Sequence, residues 1–211
     1  MPRVIYKNKE GTRLAGVTTI LGILDKPALI SWAWNLGMQG IDWRTVRDKA
    51  GGIGTIAHYL CECDLKGVDP EVPVMQEYSP VDVGKAETAF IAYLDFKKNN
   101  NLQPIKTELP LVSEKYQFGG CIDCYCKLND KLTLLDFKTS KGLYPEMIAQ
   151  VSAYKALLEE NGYPVDQCEV LQINKETGAF TYHQLGDISE YWLMFIDLIK
   201  VYNRKKKLWK R

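Results

Sequence analysis

Asp123, Asp136 and Lys138, in the middle of the chain, have the types and spacing to set an ammonium group beside a divalent-cation site. They fall in two runs, Gly120–Leu128 and Lys131–Lys138, dense in apolar and β-favouring residues. Asn129-Asp130 between them suits a two-residue hairpin turn. With that turn Leu128 pairs with Lys131, Asp123 stands opposite Asp136, and Cys121 stands opposite Lys138. Directly opposed residues carry Cβ atoms about 4.5–5.5 Å apart, where like charges repel. The sequence neighbours of both aspartates are largely apolar (Ile122, Cys124, Leu134, Leu135, Phe137), and an unpaired carboxylate in such company is costly. A hard divalent ion between the carboxylates removes both penalties. Lys138, two residues past Asp136, projects from the same face about 6.5–7 Å further along the strand. The competing account is an ordinary ion pair between Lys138 and either aspartate on a solvated sheet face, and a turn of odd length would separate the two carboxylates.

The surrounding pattern supplies elements to hold this hairpin. Val17 to Leu65 reads mostly helical, with Gly51-Gly52-Ile53-Gly54 breaking the chain before a helix over about Thr55 to Lys66. On that helix Ile53, Ile56, Ala57 and Leu60 make the apolar stripe, and His58 falls on the other side with Thr55 and Glu62, either as a ligand or as a plain surface histidine. After a loop from Asp69 to Pro80, an amphipathic helix runs over about Val81 to Lys98. Strands are expected over Ile105 to Val112, Gln117 to Leu128 and Leu132 to Lys138, then a helix opened by Pro145 and ended near Gly162. Cys168 to Asn174 and Ala179 to Gln184 read as strands joined by Lys175 to Gly178, and a helix over about Ile188 to Leu208 closes the order. That order is an α/β (α+β) sandwich around a mixed central sheet, with a helical N-terminal region, in a single domain over 1–211.

With 211 residues, 46% hydrophobic and 25% charged, the composition is that of an ordinary globular domain. No apolar run reaches bilayer length and Met1 to Glu10 has no signal-peptide core, so a cytoplasmic location and no membrane partner are expected. A net charge of +1 means that any polyanion must be held by local charge placement. Cys121-x-x-Cys124 has no second Cys or His pair at zinc spacing and lies in a strand, where its two side chains point apart; the six cysteines read as small buried hydrophobes.

Four motifs resemble, in order, those of the PD-(D/E)XK nucleases of the RecB-like and phage exonuclease branch. Gly54-Thr55-Ile56-Ala57-His58 resembles the upstream Gly-Thr-x-x-His helix, Gly120-Cys121-Ile122-Asp123 the Gly-x-x-Asp motif, Asp136-Phe137-Lys138 the acidic-x-Lys strand, and Gln150 to Tyr154 the Gln-x-x-x-Tyr signature. Gly16 to Trp32 is similar to a segment of phage-encoded members. The resemblance implies a restriction-endonuclease-like core and a metal-dependent deoxyribonuclease, an exonuclease in phage or host recombination, repair or end processing. It implies one or two Mg²⁺ or Mn²⁺ ions on His58, Asp123, Asp136 and the Phe137 backbone carbonyl, with Glu108 a further acidic contributor or a plain edge-strand glutamate. The cysteine pattern departs from that of the members with an iron–sulfur cluster, so no cluster is expected.

Within that implied chemistry, Lys138 orients the attacking water, while Gln150 and Tyr154, four apart on one helix face, contact substrate and support the Lys138 strand. Tyr154 has plain helix-to-sheet packing as its alternative. Thr139, Ser140 and Lys141 are placed to bond backbone phosphates. Trp32, Trp34 and Tyr144 could stack on unpaired bases, or simply pack. The tail from Arg204 is a basic cluster that would add salt-sensitive attraction to DNA or be a solvated helix end. DNA, chiefly its strand ends, and a recombination protein are the partners implied. Two readings compete: a catalytically silent nuclease-like module that only binds DNA, and a metal hydrolase of small phosphoesters.

Overall fold

A computed structural model describes residues 4–24, 26–140, 142–174 and 179–209. In chain order the elements are β1 (Ala15–Gly16), α1 (Val17–Leu21), α2 (Pro27–Met38), α3 (Trp43–Lys66), α4 (Val72–Gln76), α5 (Pro80–Asn99), β2 (Gln103–Ser113), β3 (Phe118–Leu128), β4 (Lys131–Lys138), α6 (Pro145–Glu160), β5 (Gln167–Ile173), β6 (Phe180–Leu185) and α7 (Ser189–Leu208). The expected mixed sheet flanked by helices is what forms. β2, β3 and β4 make an antiparallel meander, α6 carries the chain over to β5 in parallel with β4, and β6 returns antiparallel to β5. The expected turn between β5 and β6, Lys175 to Gly178, lies outside the described residues.

The sheet separates two cores. On one face Val17 and Ile20 of α1, Val151 and Leu157 of α6 and Phe195 of α7 pack against Phe118, Ile122, Leu134 and Val170. On the other, Ile56 and Leu60 of α3 and Tyr93 and Phe96 of α5 cover Cys124, Leu135, Phe137 and Leu171. Among the described residues no helix is long and apolar enough to cross a membrane.

The β3–β4 turn is the two-residue one expected. Asn129 and Asp130 have φ of 48° and 66°, and Leu128 pairs with Lys131. Both central residues of such a turn need left-handed backbone, which Asn and Asp tolerate better than other side chains.

One expectation about the N-terminal third fails. The glycines at 51, 52 and 54 do not break a helix, because α3 runs through them from Trp43 to Lys66. Glycine lowers helix propensity by about 1 kcal/mol per residue, but Ile53, Ile56, Ala57 and Leu60 are all buried, and that packing outweighs it. Before α1 the chain forms a tight hairpin with a Lys7–Arg13 bridge, and then the short strand β1, parallel to β3 at Phe118 and Gly119.

Candidate active site

The chemistry-bearing residues converge because the sheet forks. β2 occupies one edge of β3 from Phe118 to Lys127, so β1 and β4 must share the other. β1 takes Phe118 and Gly119, and the β4 ladder begins only at Cys124. Gly120 to Asp123 fill the interval, where β3 has no strand on this second edge. The register predicted for the hairpin holds up to Cys124–Leu135 and stops one position short of the expected Asp123–Asp136 pair. Instead the Asp123 Oδ2 accepts the backbone N–H of Phe137 at 3.0 Å, which brings its carboxylate to the chain beside Asp136.

α6 lies beneath the fork. Tyr154 is 5% exposed, and a Cβ on Gly120 would come within 2.7 Å of its ring and 2.8 Å of Leu157, so only glycine lets the helix approach this closely. The Tyr154 hydroxyl accepts from Gln150 Nε2 at 2.8 Å, joining the two expected helix residues to each other. Burial, then the charges of Asp123 and Asp136, push the Tyr154 hydroxyl well above its ordinary pKa. Tyr154 is thus both helix-to-sheet packing and a neighbour of the two carboxylates.

α3 closes the other side. A Cβ on Gly54 would lie 2.7 Å from Thr139 Oγ1, so the glycine first read as a helix breaker is where the helix meets the end of β4. One turn on, His58 Nδ1 stands 3.8 Å from Asp123 Oδ2, with its ring edge-on to Phe137. Burial lowers the His58 pKa, against the opposing pull of Asp123. A neutral imidazole with a free lone pair is the form that ligates metal.

Asp136 is 0% exposed. Lys138 pairs with its Oδ2, and its Oδ1 has no hydrogen-bond partner among the described residues. Burial, opposed by Lys138 and reinforced by Asp123, raises the Asp136 pKa to about 7. For Lys138 burial works downward, yet Asp136 and then Asp123 prevail and raise its pKa, keeping it an ammonium. Glu108 sits on β2 at φ 46°, half-buried, and its carboxylate accepts from Cys121 Sγ at 3.4 Å. Burial, then the charge of Asp123, lifts it to about 7.

Could these residues hold a cation? Two carboxylates and an imidazole are hard-to-borderline donors, and a buried Asp136 whose Oδ1 has no partner is the kind of group a divalent ion relieves. Among the described residues no three His, Cys, Asp or Glu side chains already form a closed ligand cluster. The donor chemistry fits a carboxylate-bound divalent ion, with its cage not closed.

The other expected residues are scattered around this centre. Ser140 Oγ donates to the Gly142 carbonyl at 2.8 Å, so its hydroxyl is engaged in the turn after β4; Lys141 lies outside the described residues. Tyr144 is 47% exposed at the start of α6. Trp32 is half-buried and packs edge-on against Trp43, whereas Trp34 is 68% exposed. Of the three rings expected to stack on bases, Trp34 and Tyr144 are the exposed ones. Two residues near the site were not singled out. Glu62, one turn past His58 on α3, pairs with Lys66 and acts on the charges of Glu108 and Cys121. Tyr6, from the N-terminal hairpin, is raised to about 12 by burial and then by Cys121 and Glu108. The i,i+4 spacing of His58 and Glu62 was visible in the sequence; nothing local marks Tyr6.

No protein-family model and no curated protein sequence matches the chain. Among solved structures, the "Putative exonuclease" from Eubacterium rectale aligns over 74% of this chain and 65% of its own length, at 11% identity and a TM-score of 0.50. That likeness is one of fold. An alkaline exonuclease from Laribacter hongkongensis aligns over 73% of this chain and 84% of its own, at 16% identity and a TM-score of 0.35. The same protein in complex with dAMP aligns at 15% identity and a TM-score of 0.35, over 75% of this chain and 91% of its own.

Proposed function

We propose that this chain is a metal-dependent deoxyribonuclease, an exonuclease that hydrolyses phosphodiester bonds at DNA strand ends. The observation that carries the reading is the gathering of His58, Asp123, Asp136 and Lys138 where β3 and β4 part. Exonuclease names among the structures of similar fold agree with it. His58, Asp123 and Asp136, with the Phe137 carbonyl, would hold one or two Mg²⁺ or Mn²⁺ ions, which supply charge neutralisation at the phosphate and a lowered pKa for bound water. Glu108 adds negative charge at the rim of the same site.

Lys138 stays protonated, so its part is to donate: it orients the attacking water and balances charge that develops on the phosphate. Asp123 is aimed by the Phe137 N–H, and the Gln150–Tyr154 pair fixes the floor under Gly120. Thr139 and Ser140 follow the site directly and, with Lys141 next in sequence, would bond the sugar–phosphate backbone. Trp34 and Tyr144 offer exposed rings to unpaired bases.

A second reading, a nuclease-like module that binds DNA and leaves it intact, draws on the Asp136–Lys138 ion pair, which neutralises the deepest carboxylate without a metal. Digestion of end-labelled linear and closed circular DNA, with Mg²⁺ or Mn²⁺ and with EDTA, separates the readings. Metal-dependent loss of the linear substrate with the circle spared is the expected result. Retention of both substrates at every metal condition would overturn the assignment.

A further inference from the structure

Helix α7 presents two different faces. Its inner face, with Phe195 and Ile199, is locked into the core. Its outer face borders a groove of about 660 Å³, walled on the far side by Ile23 from the turn after α1. Val201, Leu208 and Trp209 lie along that groove at 55%, 64% and 73% exposed, so the fold itself buries none of them. Apolar side chains lined up in a concave surface mark a place where another molecule sits.

The charges beside them have one sign. Lys200, Arg204 and Lys205 line the groove against a single acid, Asp197, which is taken by Lys200 at 2.8 Å. Arg204 has no carboxylate partner among the described residues, and Lys205 Nζ stands 5.7 Å over the Trp209 ring. A matching occupant must bring acidic groups to Arg204 and Lys205 and apolar side chains to Val201, Leu208 and Trp209. Nucleic acid answers the first need and can stack a base on Trp209, but it has no group for the aliphatic side chains of Val201 and Leu208. A bilayer surface is flat where this site is concave. A peptide with both acidic and apolar side chains answers both needs, in the way that an amphipathic segment fills a groove.

We infer that the outer face of α7 is a docking groove for an acidic, apolar-rich segment of a partner protein. The inference stands apart from the cleavage chemistry, because neither the groove nor its test involves the fork between β3 and β4.

Fluorescence anisotropy of a labelled synthetic peptide, acidic residues alternating with leucines at helical spacing, tests it on the full chain. Saturable binding is expected, weakened at least about tenfold by Arg204→Glu and by Leu208→Ser. Lys127→Glu, an equal charge change on an exposed lysine of β3, should leave binding unaltered. Peptides with the acids changed to glutamine, or the leucines to serine, should fail to bind. Circular dichroism and a thermal melt check that the variants fold. Loss of binding with Lys127→Glu would reduce the effect to net charge and overturn the proposal. So would absence of peptide binding together with any of three results sensitive to Arg204→Glu or Leu208→Ser: capture of an oligonucleotide, capture of anionic phospholipid vesicles, or self-association by light scattering.

Discussion

Asp136 and Glu169 are carboxylates on neighbouring strands, both 0% exposed, each with an oxygen that has no hydrogen-bond partner among the described residues, both raised to about 7 chiefly by burial. In the ladder Glu169 pairs with Leu135, one position before Asp136. Their surroundings differ in kind. Asp136 has Lys138 against it and Asp123 acting on its charge, with His58 next to Asp123. For Glu169 the one opposing charge is that of Lys131. A buried acid costs stability wherever it lies; what makes a site is the set of groups that would change its protonation or bind the same ligand. Asp136 has that set and Glu169 lacks it.

The largest effect expected from this contrast comes from Lys138→Ala. If Lys138 orients water and balances charge, cleavage should fall by about a hundredfold to ten-thousandfold. Mn²⁺ binding, followed by calorimetry, should persist, since the ligands remain. Full retained activity would remove Lys138 from the mechanism and leave Asp136 no more functional than Glu169.

Glu169→Gln comes next and acts on stability. The folded-state pKa of Glu169, about 7, lies above the ordinary 4.5. Its contribution is therefore favourable below about pH 4.5 and is lost as pH rises toward 7, at a cost of up to about 3 kcal/mol. Denaturant melts should show Glu169→Gln more stable than the parent at neutral pH and no better at acid pH, with DNA cleavage unchanged. A loss of cleavage equal to that of Asp136→Asn would break the contrast outright.

The hairpin was legible in the sequence because its determinants are local. Turn residues, the runs of apolar and β-favouring residues and the Asp-x-Lys spacing all lie between Gly120 and Lys138, and they set the pairing from Leu128–Lys131 to Cys124–Leu135. The fork was not legible, because it depends on β1, a two-residue strand whose hold on Phe118 and Gly119 is made by residues far away in the chain. The same division explains Gly54. Helix propensity is a local quantity and argued for a break, while the residue's actual neighbour is Thr139 at the end of β4. Glu62 was within reach of the i,i+4 rule through His58 and was passed over, because no motif named it.

Gly54→Ala turns that point into a measurement of intermediate size. The added methyl meets Thr139 Oγ1 at 2.7 Å, while the helix gains about 1 kcal/mol in propensity. Stability should stay within about 1 kcal/mol of the parent, while cleavage falls roughly tenfold as α3 and His58 are pushed from Asp123. Loss of stability without loss of activity would mean that the close approach serves packing alone.

The smallest effect separates two tryptophans of the same helix. α2 has no buried residue, so no apolar stripe marked which of its rings would be free. Trp32 leans on Trp43, and Trp32→Ala should cost about 1 kcal/mol of stability through the lost ring contact. Trp34 touches solvent over most of its surface, and Trp34→Ala should leave the melt unchanged. If its ring stacks on an unpaired base, affinity for a single-stranded oligonucleotide should drop by about 1 kcal/mol, roughly fivefold, with duplex binding unaffected. Equal losses for single strand and duplex would assign Trp34 a general contact instead. No loss for either would shift the stacking role to Tyr144, the other exposed ring expected to meet bases.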